Sequence, residues 1–82
     1  MYTLAYKIRR LREFHNFTQQ YMAEELGGLT QRAYSDIEAG RTSLKVAHLE
    51  IIAKILQCKP GDLFEKSVEE ILTDQLSRSM RH

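Results

Sequence analysis

The sequence predicts an all-α fold: a compact bundle of four to five short helices followed by a C-terminal amphipathic helix. Three observations predict it. Apolar residues recur at spacings of three and four, and strand-like alternation is absent. Hydroxyl residues stand just before several of these stripes, where a side-chain oxygen caps the first backbone N–H groups of a helix. Asn or Gly follows three of the stripes, and proline occurs once, at Pro60.

Leu4, Ile8 and Leu11 make the first helical stripe, and Asn16 ends it because Asn tolerates the left-handed conformation. Thr18 caps a second helix with Met22, Ala23 and Leu26 facing inward, and Gly27 and Gly28 close it. Thr30 caps a third helix whose inward residues are Ala33, Tyr34 and Ile37, and Gly40 ends it. A fourth helix is expected from about Val46 to Leu56, with Leu49, Ile52, Ala53 and Leu56 on one face. "KPGDLF" reads as a one-turn helix with Pro60 at its first position, where the missing N–H costs nothing. Ser67 and Glu70 have capping-box spacing for a last helix, whose stripe is Val68, Ile71, Leu72, Leu76 and Met80.

Eighty-two residues with a 43% hydrophobic share suffice for one small core. The expected division is a globular domain over 1–66 and an amphipathic helix over 67–82. The net charge of +1 is bland, but its distribution is not. Lys7, Arg9, Arg10 and Arg12 precede any acid, and Arg32, Arg41 and Lys45 follow the Gly-Gly turn. The single cysteine, Cys58, excludes an internal disulfide and fits a reducing cytoplasm. The N-terminal stretch "MYTLAYKIRRLREF" has no apolar run long enough for a signal peptide or a membrane span.

Helix, glycine turn, helix is the helix-turn-helix pattern. "IRRLREFHNFTQQYMAEELG", "SDIEAGR" and "LEIIAKIL…GDLF" together resemble the lambda-repressor-like family, which includes Cro and the xenobiotic-response-element regulators; the resemblance covers roughly Leu4 to Phe64. One departure stands out. The family usually has one residue fewer between the turn glycine and the recognition helix, and Gly28 is the extra one.

The resemblance implies a sequence-specific double-stranded DNA-binding regulator, a repressor, that reads the major groove with the helix beginning at Thr30. The expected base-reading residues are Thr30, Gln31, Arg32, Ser35 and Asp36. The chemistry agrees for two of them, because Gln pairs bidentately with adenine and Arg with guanine. Asp36 lies four residues after Arg32, a spacing that favours an ion pair on one helical face and would make Asp36 an aiming device for Arg32. Gln19, Arg41, Thr42, Ser43 and Lys45 are expected on the sugar-phosphate backbone. The resemblance also implies a structural ion pair between Arg12 and Glu38.

His15, His48, His82 and Cys58 have no metal-ligand spacing, and neither a catalytic triad nor a carboxylate pair stands out. No enzyme, metal or cofactor is expected, and Cys58 reads as a buried, inert thiol. The expected partners are a duplex with two-fold related half-sites and a second copy of the chain, with Val68, Ile71, Leu72, Leu76 and Met80 as the dimer interface and partial packing of that helix on its own body. The alternative is a protein-interaction module, such as an antitoxin or partner-binding adaptor, built on the same fold.

Overall fold

The structure is a computed structural model and describes residues 3–80. Its elements are six helices: α1 (Leu4–Phe14), α2 (Gln19–Glu25), α3 (Gln31–Glu38), α4 (Val46–Ile55), α5 (Asp62–Glu65) and α6 (Val68–Ser79). The threonines and serine at the helix starts do what their position suggests. Thr18 accepts from the Tyr21 N–H, Thr30 from Ala33, and Ser67 forms a reciprocal capping box with Glu70. Thr3 caps α1 in the same way. Helix α5 begins at Asp62 rather than at Pro60. The proline sits in the preceding turn, where its carbonyl accepts from the Leu63 N–H.

Helix α1 is central and packs against α3, α5 and α6, while α2 packs against α3. Ile8, Leu11, Met22, Tyr34, Ile52, Leu56, Leu63 and Ile71 are fully buried, so α1 through α6 all contribute to one core. Helix α6 therefore belongs to the same core. Val68 and Ile71 at the start of α6 lie inside the core, and Leu72 packs at its edge. The apolar part of the stripe that faces outward is Leu76 and Met80, 54% and 79% exposed.

Polar side chains fasten α6 further. Gln75 Nε2 donates to the carbonyls of Leu56 and Gln57, and Arg78 donates to the same Gln57 carbonyl. These are free carbonyls at the end of α4, so α6 caps α4 from the side. Lys7 Nζ likewise donates to the carbonyls of Leu63 and Lys66, tying α1 to the end of α5.

The helix ends explain the spacing of the whole bundle. After α1, α3 and α4, one residue takes a left-handed conformation: Asn16, Gly40 and Gln57. The next N–H then returns to a carbonyl five residues back: Phe17 to Arg12, Arg41 to Asp36, Cys58 to Ala53. This is the Schellman closure. After α2, both Gly27 and Gly28 have positive φ (86° and 89°), and the Leu29 N–H reaches Ala23, six residues back. Counted from the cap residue, the accepting carbonyl is the same in all four cases. Gly28 is therefore one residue added inside an otherwise ordinary closure.

Candidate nucleic-acid interface

Helix α3 has two unlike faces. Tyr34, Ile37 and Glu38 are buried, and their spacing of three and four turns them toward α1 and α2. Among the described residues Glu38 is the one buried charged residue, and both of its carboxylate oxygens accept hydrogen bonds. Arg12 meets it with two hydrogen bonds, Nε to Oε2 at 2.6 Å and Nη2 to Oε1 at 3.1 Å. Gln19 Nε2 adds a third at 3.2 Å. Arg12 also donates through Nη1 to the Phe17 carbonyl, so one guanidinium holds α1, the α1–α2 turn and α3 together. The implied Arg12–Glu38 pair is thus present. Tyr34 stays neutral beside it, because burial first and the adjacent carboxylate second raise its pKa above the ordinary tyrosine range.

The opposite face is open. Gln31, Arg32, Ser35 and Asp36 of α3, Gln19 at the start of α2 and Arg41 beyond α3 line one shallow concavity of about 570 Å³. Gln31 and Arg32 are exposed in the first turn of the helix, and Ser35 and Asp36 are half-buried one turn later. Thr30 is exposed at the N-cap; its oxygen accepts from Ala33, and its hydroxyl hydrogen remains available to donate. The structure therefore brings together Gln31, Arg32, Ser35 and Asp36 with Gln19 and Arg41. Thr42 and Ser43 are exposed in the loop that follows, and Lys45 is exposed at the N-cap of α4 without closing it by a side-chain bond.

Two side chains have partners other than those expected. Asp36 pairs with Arg41, Oδ1 to Nε at 3.1 Å, and not with Arg32. The i,i+4 rule covers residues that stay on the helix. Gly40 leaves it with φ 77°, and that turn folds Arg41 back so that its backbone N–H also reaches the Asp36 carbonyl at 2.9 Å. The signal was the glycine after "IEA", which announces an i,i+5 return. Gln19, expected to face a phosphate, has one amide hydrogen committed to Glu38 and keeps the other.

Elsewhere the chemistry is quiet. Cys58 is half-buried, and its thiol is pushed up to about 11, first by burial and then by Asp62, so thiolate is scarce at neutral pH. Among the described residues no group of three or more His, Cys, Asp or Glu is placed to hold a metal, and His82 lies outside them. Among them, too, no helix is long and apolar enough to cross a membrane.

A family model described as helix-turn-helix matches residues 8–63. The chain belongs to the lambda-repressor-like helix-turn-helix family. The match supports a DNA-binding transcriptional regulator, and α2 and α3 both lie within the matched residues. Among solved structures, the chain is similar to the clp gene regulator ClgR from Corynebacterium glutamicum, at 17% identity and a TM-score of 0.70, over 94% of this chain and 81% of that one. At that identity the likeness concerns the fold. A comparison with curated proteins gives no match.

Proposed function

We propose that this helix-turn-helix regulator acts as a homodimeric repressor. It reads a duplex of two related half-sites by placing the first turn of α3 in the major groove. One observation carries the reading: the open face of α3 offers Gln31 and Arg32, unpaired among the described residues, at its N-terminal turn, within a concavity flanked by Gln19 and Arg41. Side chains at that turn reach deepest into a major groove, and Gln and Arg have the donor geometry for adenine and guanine edges. Thr30 and Ser35 extend the same edge with hydroxyls. Arg41, Thr42, Ser43 and Lys45 follow in a loop suited to phosphates, with the second amide hydrogen of Gln19 on the other flank. Bound at a promoter, such a dimer blocks access to the duplex.

The dimer reading rests on the outward part of α6. Leu76 and Met80 are exposed, and half-buried Leu72 borders them. A second copy related by a two-fold axis covers this strip with itself. The competing protein-module reading rests on the near-neutral net charge and on an acid, Asp36, at this face; the Asp36–Arg41 pair gives that acid a partner and leaves the charge argument alone.

Selection from a random duplex pool, followed by titration across salt, tests the DNA reading. The expected result is a two-half-site consensus whose affinity falls steeply with salt. A pool with no enrichment, or binding indifferent to salt, refutes it. For the dimer, Leu76→Asp with Met80→Asp changes only exposed positions, so the fold is retained. Sedimentation is expected to give a monomer with most two-half-site affinity lost. A variant that remains a dimer places the interface elsewhere.

A further inference from the structure

Asp36 is an acid on the face that the reading above turns toward DNA. Left free there, a carboxylate repels phosphates and weakens binding. It is not free. Asp36 Oδ1 accepts from Arg41 Nε at 3.1 Å, and the Asp36 carbonyl accepts from the Arg41 backbone N–H at 2.9 Å. Arg41 is thus held to α3 at both its main chain and its guanidinium. The geometry of the guanidinium decides what remains. It has five N–H donors in a planar fork, and the bond to Asp36 uses the one on Nε. The two Nη groups stay open, and the Arg41 side chain is 67% exposed at the rim of the concavity that holds Gln31, Arg32 and Ser35.

An untethered arginine loses considerable rotamer freedom when it is immobilised on a ligand. A tether through Nε removes much of that loss before binding while leaving the phosphate-facing edge available. The tether also neutralises the carboxylate that would otherwise repel. Both effects need the same contact.

We infer that Asp36 is a positioning residue. It reads no base; it fixes Arg41 beside the recognition helix so that the Nη edge of Arg41 grips a phosphate at the groove wall. The inference rests on α3 being the recognition helix, and the sign of one mutational effect tests it separately. The experiment measures duplex affinity across salt, on the selected site and on scrambled duplex, for the parent, Asp36→Asn, Arg41→Ala and the double variant. Both positions are at the surface, and thermal melting verifies that each variant is folded.

If Asp36 positions Arg41, Asp36→Asn weakens binding several-fold on all duplexes alike and flattens the salt slope toward that of Arg41→Ala, because one phosphate contact is lost. In the Arg41→Ala background the same substitution reverses sign and tightens binding, since only repulsion is left to remove. Arg41→Lys, added to the set, keeps the charge but lacks the Nε tether, and is expected to flatten the slope as Asp36→Asn does and to erase the coupling to Asp36. Tighter binding by Asp36→Asn in the parent background makes Asp36 a mere repulsive charge and overturns the inference. A changed base preference makes it a base reader and also overturns it. Both results leave the DNA reading intact. A parent that binds no duplex removes that reading and this inference with it.

Discussion

Helix α3 carries two acids, each paired with an arginine from outside the helix, and the two pairs differ in burial, in bonding and in the span of chain they join. Glu38 and Arg12 are nearly sealed, with side chains 3% and 12% exposed, and meet through two hydrogen bonds. Asp36 and Arg41 are 30% and 67% exposed and meet through one. The inner pair ties α3 to α1, twenty-six residues away in the chain; the outer pair spans five residues and a glycine turn. Two residues apart on one helix, the same chemistry anchors on one side and presents on the other. The difference teaches that stability and recognition are separated by face. A substitution can therefore strike one and spare the other.

The inner pair is where the largest effect is expected. Glu38→Ala leaves the Arg12 guanidinium buried without its carboxylate and removes the acceptor of Gln19. Breaking one partner of a buried pair costs about 3–5 kcal/mol. A small domain has on the order of 5–15 kcal/mol in total, so the variant is close to the edge of folding. Urea denaturation measures the loss. A cost below about 1 kcal/mol, the range of exposed pairs, would erase the contrast between the two acids.

On the outer face the expected effect is smaller and of another kind. Arg32→Ala leaves stability within about 0.5 kcal/mol, because the side chain is exposed and makes no ion pair among the described residues. Its loss appears instead at one base pair per half-site, as about 1–3 kcal/mol of lost discrimination. Measured affinities on single-base variants of the operator decide the matter. A uniform loss on every duplex assigns Arg32 to a phosphate. A loss of folding stability would mean that the outer face also anchors.

How far each face could be read from the sequence follows the same division. The inner face was legible because burial obeys period: Tyr34 and Ile37 sit at helical spacing, and the threonine and serine caps mark where α2, α3 and α6 begin. The outer partners were less legible. Asp36 stands four residues after Arg32, and helical spacing alone chooses that pair; the chain instead turns back at Gly40 and delivers Arg41. The tail was hard to divide for a related reason. Its apolar stripe is continuous in sequence, and nothing in the periodicity separates Val68 and Ile71, which complete the core, from Leu76 and Met80, which do not. Only the packing of α1 against α6 draws that line. Gln75 and Arg78 capping the end of α4 were equally invisible, because the Gln57 carbonyl they meet is exposed by a left-handed residue that is neither Gly nor Asn.

A small effect on stability is also expected from the turn that sets the two faces in place. Deletion of Gly28 sharpens the comparison because it moves the outer face without breaking either pair. In the structure the Leu29 N–H reaches Ala23 across two left-handed glycines, whereas the other three closures use one left-handed residue and reach the equivalent carbonyl. Without Gly28, Leu29 follows Gly27 directly, and its N–H stands where the N–H of Phe17, Arg41 or Cys58 stands after the other helices. No backbone group is orphaned, and one flexible glycine leaves the unfolded chain. Folding free energy is therefore expected to stay within about 1 kcal/mol of the parent. Recognition is expected to change, because α3 enters one residue earlier relative to α2 and shifts Gln31 and Arg32 against the flank at Gln19. Thermal melting and a repeated duplex selection read the two effects separately. A deletion variant that melts with the parent and selects a different or degraded site places Gly28 in recognition. One that keeps both melting point and site makes the extra residue neutral. One that loses its helical signal shows that α2 and α3 tolerate only the longer closure, and then the inner packing, not the outer face, dictates the length of the turn.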